Sequence, residues 1–286
     1  MYSDIFDYPL TKEEIWKFLI KKNLSAGKWG SFEKELNRLV QSEATPLGYN
    51  RKLYYLLGRE EIVKKRIKRK VISRKKLEVA RKIIRRLFLI PTVKFIGVSG
   101  GLALENSDEA DDIDLFIITS KNTLWITRLI LVLLLKLMGQ YRGRGNSPIG
   151  GESNKACLNM LIDEKALMFE KSRQNLYTAH EIAQLKIIFD RNNTYSKFLS
   201  ANKWILKYLP NSLEIKKLSN EEIKENKHDC SITKLLNYFA KVFQLWYMKN
   251  HKTNETVNDK MLAFHPFEYK NYVLEEYNKR MSKYEI

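Results

Sequence analysis

The stretch Ile96-Gly97-Val98-Ser99-Gly100-Gly101 and, after ten intervening residues, the stretch Asp112-Ile113-Asp114-Leu115-Phe116 decide the fold of this chain. Residues 93–98 and 113–119 are apolar, rich in β-branched side chains and bounded by turn-forming residues, which predicts two strands. A third strand is predicted at residues 156–163, and a strongly apolar helix lies between residues 122 and 138. Together these elements predict a small α/β core.

The glycine pair and the aspartate pair have the composition of a site for phosphate and metal. Gly100 and Gly101 have no Cβ, so their backbone N–H groups can approach phosphate oxygens closely. Asp112 and Asp114 are two residues apart on a predicted strand, so their carboxylates leave the same face. Adjacent carboxylates repel each other unless cations bind between them, and oxygen ligands suit Mg²⁺. The alternative is that Asp112 and Asp114 are strand-end residues that cap a turn.

These residues resemble the signature of the DNA polymerase β-like nucleotidyltransferase superfamily. That signature is an apolar residue, Gly and Gly or Ser, then about ten residues, then Asp-apolar-Asp/Glu-apolar. More narrowly, the chain is similar to bacterial nucleotidyltransferases that carry an N-terminal winged helix. The similarity covers most of the chain, from about residue 4 to residue 211. The segments that carry it are residues 99–106, 111–119, 157–163 and 201–211.

The resemblance implies an Mg²⁺-dependent nucleotidyltransferase that moves a nucleoside monophosphate from an NTP to an acceptor hydroxyl. Asp112 and Asp114 would be its catalytic residues and metal ligands, and Ser99, Gly100 and Gly101 would bind the triphosphate. We expect the acceptor to be nucleic acid. Two alternatives stay open: transfer to a small molecule or a protein, and a weak or inactive enzyme fold that acts as a nucleic-acid-binding or regulatory module.

The third acidic position is where the chain departs from the superfamily, whose active members carry a further carboxylate on a later strand. The residue expected there is Asn159, whose amide is a weaker ligand and cannot act as a base. Asp163, on the same predicted strand, is the alternative metal ligand. Gly101 also replaces a serine that touches the phosphates in many members. Residues 141–145 either clamp the triphosphate through arginine or form an exposed loop.

A basic segment precedes the predicted core. Residues 59–86 contain 14 lysines and arginines against three glutamates, a surplus of 11 in a chain whose net charge is +18. Apolar residues recur within it at helical spacing, which predicts one long helix or two abutting ones. The basic face is either simply solvated or it binds the phosphates of RNA or DNA. The residues expected to make such contacts are Lys64, Lys65, Arg66 and Lys68.

The predicted fold class is α/β (α+β): a nucleotidyltransferase core with a mixed sheet, an N-terminal winged-helix-like domain and a helical C-terminal region. In residues 1–58, a capping box at Thr11, a second helix capped by Ser31 and a hairpin follow one another. Further capping boxes are predicted at residues 178–181 and 219–222. The predicted units are a winged-helix-like domain at 1–58, a basic connector at 59–90, the core at 91–170 and a helical region at 171–286.

Several other classes of protein are disfavoured by the sequence. Cys157 and Cys230 form no CxxC pair, and the four histidines have no zinc-binding spacing, so neither a disulfide framework nor a zinc enzyme is expected. The N-terminal residues lack the pattern of a signal peptide, and the longest apolar run is far shorter than a bilayer requires. We therefore expect a cytoplasmic protein that does not bind membranes.

Overall fold

The computed structural model describes residues 1–20, 28–42, 45–142, 154–213, 231–249, 256–264 and 267–283. Within these ranges the chain has a mixed α/β fold, in which helices cover both faces of a mixed sheet. The helices are α1 (Lys12–Lys17), α2 (Trp29–Gln41), α3 (Glu61–Leu87), α4 (Gly100–Ala103), α5 (Leu124–Leu137), α6 (Leu176–Ala183), α7 (Thr194–Ala201), α8 (Ser231–Met248) and α9 (Phe267–Lys283). The strands are β1 (Leu47–Asn50), β2 (Leu53–Leu56), β3 (Val93–Val98), β4 (Ile113–Thr119), β5 (Ala156–Asp163), β6 (Lys186–Asp190), β7 (Thr256–Val257) and β8 (Met261–Ala263).

The larger sheet has six strands in the order β6-β3-β4-β5-β8-β7. Strands β4 and β5 run parallel, and the other neighbouring strands run antiparallel, which confirms the mixed sheet predicted from the sequence. The central strands are buried along nearly their whole length. Helices on both faces explain why these strands are continuous apolar runs without polar alternation.

Side chains of β4 alternate between two hydrophobic cores. Ile113 and Leu115 pack with residues of α3 and α5 on one side of the sheet. Phe116 packs with residues of α6 and α7 on the other side. Because residues two apart on a strand share a face, Asp112 and Asp114 lie on the same side as Phe116, towards α6. Both carboxylates therefore lie at the edge of the hydrophobic core that Phe116 forms with residues of α6 and α7.

The N-terminal helices and hairpin follow the predicted order. Thr11 caps α1, and the reciprocal bond between Glu14 and the Thr11 backbone completes the predicted capping box. Helix α2 begins two residues before Ser31, so the predicted Ser31 cap is wrong. Strands β1 and β2 pair antiparallel through a turn in which Arg51 and Lys52 both have positive φ. That turn matches the right-handed twist of a two-stranded hairpin.

The basic segment forms one continuous helix, α3, of 27 residues, which is about 40 Å long at the α-helical rise. Leu77, Ala80 and Ile84 of its apolar stripe are buried against the sheet. The sequence left open whether there would be one helix or two, and the structure shows one.

The C-terminal part of the chain contains three strands that the sequence analysis missed. It was predicted as helical, yet β6 pairs with β3 and β8 pairs with β5, so both extend the sheet. The predicted cap at Thr178 is also wrong, because Asn175 accepts the Thr178 N–H and starts α6 three residues earlier. The predicted cap at residues 219–222 lies outside the described residues.

Candidate active site

Asp114 and Gly100 are in close contact where β3 ends and β4 begins. The Ser99 N–H donates to the Asp114 carbonyl at 3.0 Å, which continues the antiparallel ladder past β3. Gly100 has a φ of +62°, and a Cβ there would lie 3.0 Å from Asp114 Oδ2. A side chain at position 100 would therefore meet both backbone strain and the carboxylate. The structure thus brings together the predicted residues Ser99, Gly100 and Asp114.

Gly101 is also closely packed. A Cβ on Gly101 would lie 3.3 Å from the carbonyl oxygen of Asn106, on the loop that leads to Asp112. The Asn106 N–H in turn donates to the Gly101 carbonyl at 2.8 Å. The glycine turn and the aspartate loop therefore form one compact unit.

The third side chain beside the two aspartates is Cys157. One ligand atom each from Asp112, Asp114 and Cys157 lies within 4.8 Å of the other two. Strand pairing explains the arrangement, because Asp114 and Cys157 are partners in the parallel pair of β4 and β5. The sequence analysis assigned no role to Cys157, since a lone cysteine carried no signal there.

Burial and charge repulsion shift the titration of this cluster. Burial, and then the charge of Asp112, raise the pKa of Asp114 to about 7, although a hydrogen bond from Cys157 opposes the shift. Burial and the two aspartates also raise the pKa of the Cys157 thiol. At neutral pH the thiol is protonated, and Asp114 retains its proton to a higher pH than an ordinary aspartate does. A cation that bound here would displace these protons.

Arg142 neutralises one member of the cluster. Its guanidinium forms an ion pair with Asp112, and its backbone N–H donates to the Ala156 carbonyl at the start of β5. Residues 143–145, the remainder of the predicted phosphate clamp, lie outside the described residues. Arg142 is therefore close enough to contact anything bound at Asp112.

Helix α3 holds the loop that carries the aspartates. Arg69 pairs with Asp108 through two nitrogens, at 2.6 and 3.0 Å. Lys76 donates to the carbonyls of Glu109 and Asp111, and burial lowers its pKa. These contacts show that part of the basic segment has a structural role, which the sequence analysis did not foresee.

Asn159 and Asp163 lie in different parts of β5. Asn159 is buried and donates to Ser99 Oγ at 3.3 Å, so it contacts the predicted phosphate-binding turn. Asp163 lies opposite Thr119 at the far end of the strand, six residues or about 20 Å from Cys157. There it accepts backbone N–H groups, including that of Lys165 at 2.9 Å. The assignment of Asp163 as a metal ligand is therefore wrong.

A cleft of about 440 Å³ opens in front of Asp114. Its floor includes Gly100 and Gly101, and its walls include Tyr177 and Glu181 from α6. Burial and the charge of Asp114 raise the pKa of Glu181 to about 7. The cleft therefore holds two carboxyl groups, Asp114 and Glu181, whose ionisation is disfavoured by burial and by their mutual repulsion. Sequence analysis missed Glu181 because residues 178–181 fitted a capping box.

The basic residues of α3 fall into two groups. The first group makes contacts within the protein: Lys65 pairs with Asp7, and Arg66 donates to the Pro9 carbonyl and pairs with Glu14. Arg66 is only 8% exposed, so the prediction that it contacts nucleic acid is wrong. The second group is exposed and consists of Lys64, Lys68, Lys70, Lys75, Arg81, Lys82, Arg85 and Arg86. Arg74 is also exposed, and it pairs with Glu105.

Comparisons of the chain with protein-family models, curated proteins and solved structures found no match. Among the described helices, none combines the length and the apolar composition needed to cross a bilayer.

Proposed function

We propose that this protein is a metal-dependent nucleotidyltransferase with a nucleotidyltransferase-type core. The observation that carries the proposal is the cluster of Asp112, Asp114 and Cys157, packed against the Gly100 turn. A pair of carboxylates supplies the oxygen ligands that a divalent cation needs, and Gly100 leaves space that a Cβ would fill. Glu181 lines the same cleft and supplies a further carboxyl group there.

The proposed reaction joins an acceptor oxygen to the α-phosphorus of an NTP. The bond between that phosphorus and the oxygen bridging to the β-phosphate breaks, pyrophosphate leaves, and the acceptor proton passes to water. A bound Mg²⁺ or related cation would supply charge stabilisation for the phosphoryl oxygens and activate the acceptor hydroxyl. The turn at Ser99, Gly100 and Gly101 would hold the phosphates, while Asp112 and Asp114 would hold the cation.

Arg142 would exchange partners during this reaction. Its guanidinium forms an ion pair with Asp112. With Asp112 engaged by a cation, the guanidinium would be available to bind phosphate oxygens, which arginine binds well. Arg142 would thus offset the charge of Asp112 in the protein alone and add a positive charge beside a bound nucleotide.

As a third ligand, Cys157 would change which metal ion the site prefers. A thiolate is a softer ligand than a carboxylate, so a site with Cys157 as third ligand favours Mn²⁺ or a more thiophilic ion over Mg²⁺. The high pKa of the thiol opposes its use as a ligand unless the cation displaces the proton. We therefore propose that Mg²⁺ is held mainly by Asp112 and Asp114.

Nucleic acid is the acceptor that the charge distribution favours. The exposed face of α3 presents Lys64, Lys68, Lys75 and Lys82 along a helix about 40 Å long. Basic side chains spaced along such a helix can contact successive phosphates. Helices α1 and α2 with the β1–β2 hairpin have the element order of a winged helix, and we propose that this unit assists binding.

A second candidate is a protein of the same fold that binds nucleic acid without catalysing transfer. The absence of a carboxylate from position 157 favours this alternative, because Cys157 occupies the position beside Asp112 and Asp114. An NTP labelled on the α-phosphate, and separately on the γ-phosphate, distinguishes the two candidates when RNA is offered as acceptor with Mg²⁺ or Mn²⁺.

For a nucleotidyltransferase, the α-label enters the acceptor and the γ-label appears in pyrophosphate. Asp114→Asn should lower the rate by at least about 100-fold, because it removes a metal-ligating charge. Asp163→Asn is the matched control, since it makes the same change on the same sheet, and it should leave the rate unchanged. Acceptor labelled from the γ-phosphate, or full activity in Asp114→Asn, would contradict the proposal.

A further inference from the structure

Helix α8 presents an apolar stripe to solvent. Its residues Ile232, Leu235, Phe239, Val242 and Trp246 are between 48% and 72% exposed. They repeat at alternating intervals of three and four residues, which is the spacing of a helix that packs along another helix. Such a stripe is unusual on a water-facing surface, where an outer helical face is normally polar.

The opposite side of α8 is already fixed to the protein. Asn237 Oδ1 accepts the N–H groups of Trp125 and Ile126 at 2.9 and 3.0 Å, which caps the start of α5. Gln244 is buried and donates to the Trp125 carbonyl at 2.8 Å. Because these polar contacts set the rotation of α8 about its axis, the exposed stripe is not the face that packs on this core.

The neighbouring helix α5 extends the apolar surface. Leu133 and Leu137 of α5 are 53% and 86% exposed. Between α5 and α8 runs a groove of about 370 Å³, whose walls include Leu133, Phe243 and Tyr247. The surface therefore consists of the exposed stripe on α8 beside the groove between α5 and α8.

The size of this surface suits a protein interface. The exposed apolar side chains of α8 alone offer an area on the order of 1,000 Å², judged from the usual size of such side chains. The largest apolar patch of a typical monomer is about 300–600 Å², and a stable interface needs about 800 Å² from each partner. The patch is thus large enough to support a dimer.

We propose that two copies of this chain associate through the α5–α8 surface about a two-fold axis. The seam spacing is typical of packing against another helix, and a second copy supplies the same seam. In an isologous pair, the α8 stripe of each copy can pack into the α5–α8 groove of the other. The two α5 helices and the two α8 helices then form a four-helix arrangement. A lipid surface fits less well, because Lys241, on the flank of the stripe, is engaged with Asp259 at 2.7 Å.

The test is the mass of the full chain in solution, measured by light scattering and sedimentation velocity over a wide dilution series. The proposal predicts a species of twice the 33.8 kDa chain mass that dissociates on dilution. The variant Phe239→Glu/Trp246→Glu should raise the dissociation constant at least about 100-fold, because it places charges in the centre of the seam. Val71→Glu and Leu89→Glu are matched controls, since they add charges at exposed apolar positions outside this surface and should leave the dimer intact.

Three results would overturn the proposal. The first is a wild-type chain that is monomeric throughout the dilution series. The second is a dimer that persists unchanged in the Phe239→Glu/Trp246→Glu variant when circular dichroism shows that this variant is folded. The third is a wild-type monomer that floats with anionic phosphatidylglycerol vesicles, which would assign the face to lipid. If the double variant does not fold, Val242→Glu alone tests the same seam and should weaken the dimer.

Discussion

Cys157 donates its thiol hydrogen to the carboxylate of Asp114 across the parallel pair of β4 and β5. This bond connects the residue that the sequence analysis overlooked to the residue on which the proposed chemistry depends. Burial and the neighbouring negative charges raise the pKa of both side chains, so the cluster retains protons to a higher pH than exposed groups would. Binding of a cation must therefore be coupled to loss of protons.

Replacing Cys157 by aspartate should strengthen Mg²⁺ binding. The change Cys157→Asp adds a third hard, charged ligand to the cluster, and we expect about tenfold tighter binding, equivalent to about 1.4 kcal/mol. Isothermal titration with Mg²⁺ measures the effect. Asn159→Asp is the matched control, since it adds the same charge beside Ser99 and should tighten Mg²⁺ less. Equal effects of the two changes would show that Cys157 has no special position.

Gly100→Ala should have two effects that can be measured separately, a loss of stability and weaker binding at the site. The change should destabilise the fold by about 1–3 kcal/mol, because alanine is strained at positive φ and its Cβ meets Asp114 Oδ2. Gly139→Ala is the matched control, because Gly139 has a φ of +64° and a Cβ added there would have no neighbouring atom within 4 Å among the described residues. The free energy of unfolding in urea is measured for both variants. The extra loss in Gly100→Ala relative to Gly139→Ala is the part caused by the contact with Asp114.

Only Gly100→Ala should also weaken binding of Mg²⁺ and NTP. If Gly139→Ala weakened that binding equally, the Gly100 turn would have no specific role in the site.

Asp114 should make the metal-free protein less stable as the pH rises. Its pKa is raised to about 7 in the fold, against about 4 in the unfolded chain. Between these values the native state holds a proton that the unfolded state has lost, so the free energy of unfolding falls with rising pH and levels off above about 7. Asp114→Asn removes this dependence.

The measurement is urea unfolding of both proteins in EDTA at about pH 5 and about pH 8. Relative to wild type, Asp114→Asn should gain roughly 1–3 kcal/mol more at the higher pH than at the lower one. Comparing the two proteins cancels the contribution of Asp163, whose pKa is raised by burial and not by Asp114. Glu181 does not cancel fully, because the charge of Asp114 is one cause of its raised pKa, so the measured difference belongs to Asp114 together with its effect on Glu181. A stability difference that does not vary with pH would show that Asp114 titrates normally.

The exposed face of α3 should control the salt dependence of RNA binding. Replacing Lys64, Lys68, Lys75 and Lys82 with glutamine should weaken binding and reduce the slope of log affinity against log salt by about three to four. The Arg66→Gln variant is the contrast, because Arg66 is buried against Pro9 and Glu14. It should mainly lower stability, by about 2–4 kcal/mol. An unchanged slope in the quadruple variant would show that the face is only solvated.

Much of the fold follows from the sequence because its central strands are long, apolar and bounded by turn residues. Strands β3, β4 and β5 have the predicted bounds, and α8 lies within the predicted helical region of residues 171–286. The short strands β6 and β8 were missed because each has five residues or fewer and is stabilised as a strand by pairing with a neighbouring strand. Such tertiary pairing leaves little trace in local composition.

The candidate site was only partly predictable for a related reason. The contact between Gly100 and Asp114 follows from a strand that ends in glycine beside a second strand. The place of Cys157 depends instead on the register of β4 and β5, which shifts between Asp114 and Phe116. Composition does not set such a register, so Asn159 was expected where Cys157 lies. Glu181 comes from a helix far along the chain, and only the packing of α6 brings it into the cleft.

We propose that Asp112 and Asp114 hold a divalent cation together with a nucleotide. Electron paramagnetic resonance of Mn²⁺ tests it most directly, by measuring free Mn²⁺ during titration of the full chain with an α,β-methylene NTP present. We predict that wild type and Asp163→Asn deplete free Mn²⁺ equally, and that Asp112→Asn and Asp114→Asn deplete it at least about tenfold more weakly. Equal depletion by all four proteins would contradict the assignment.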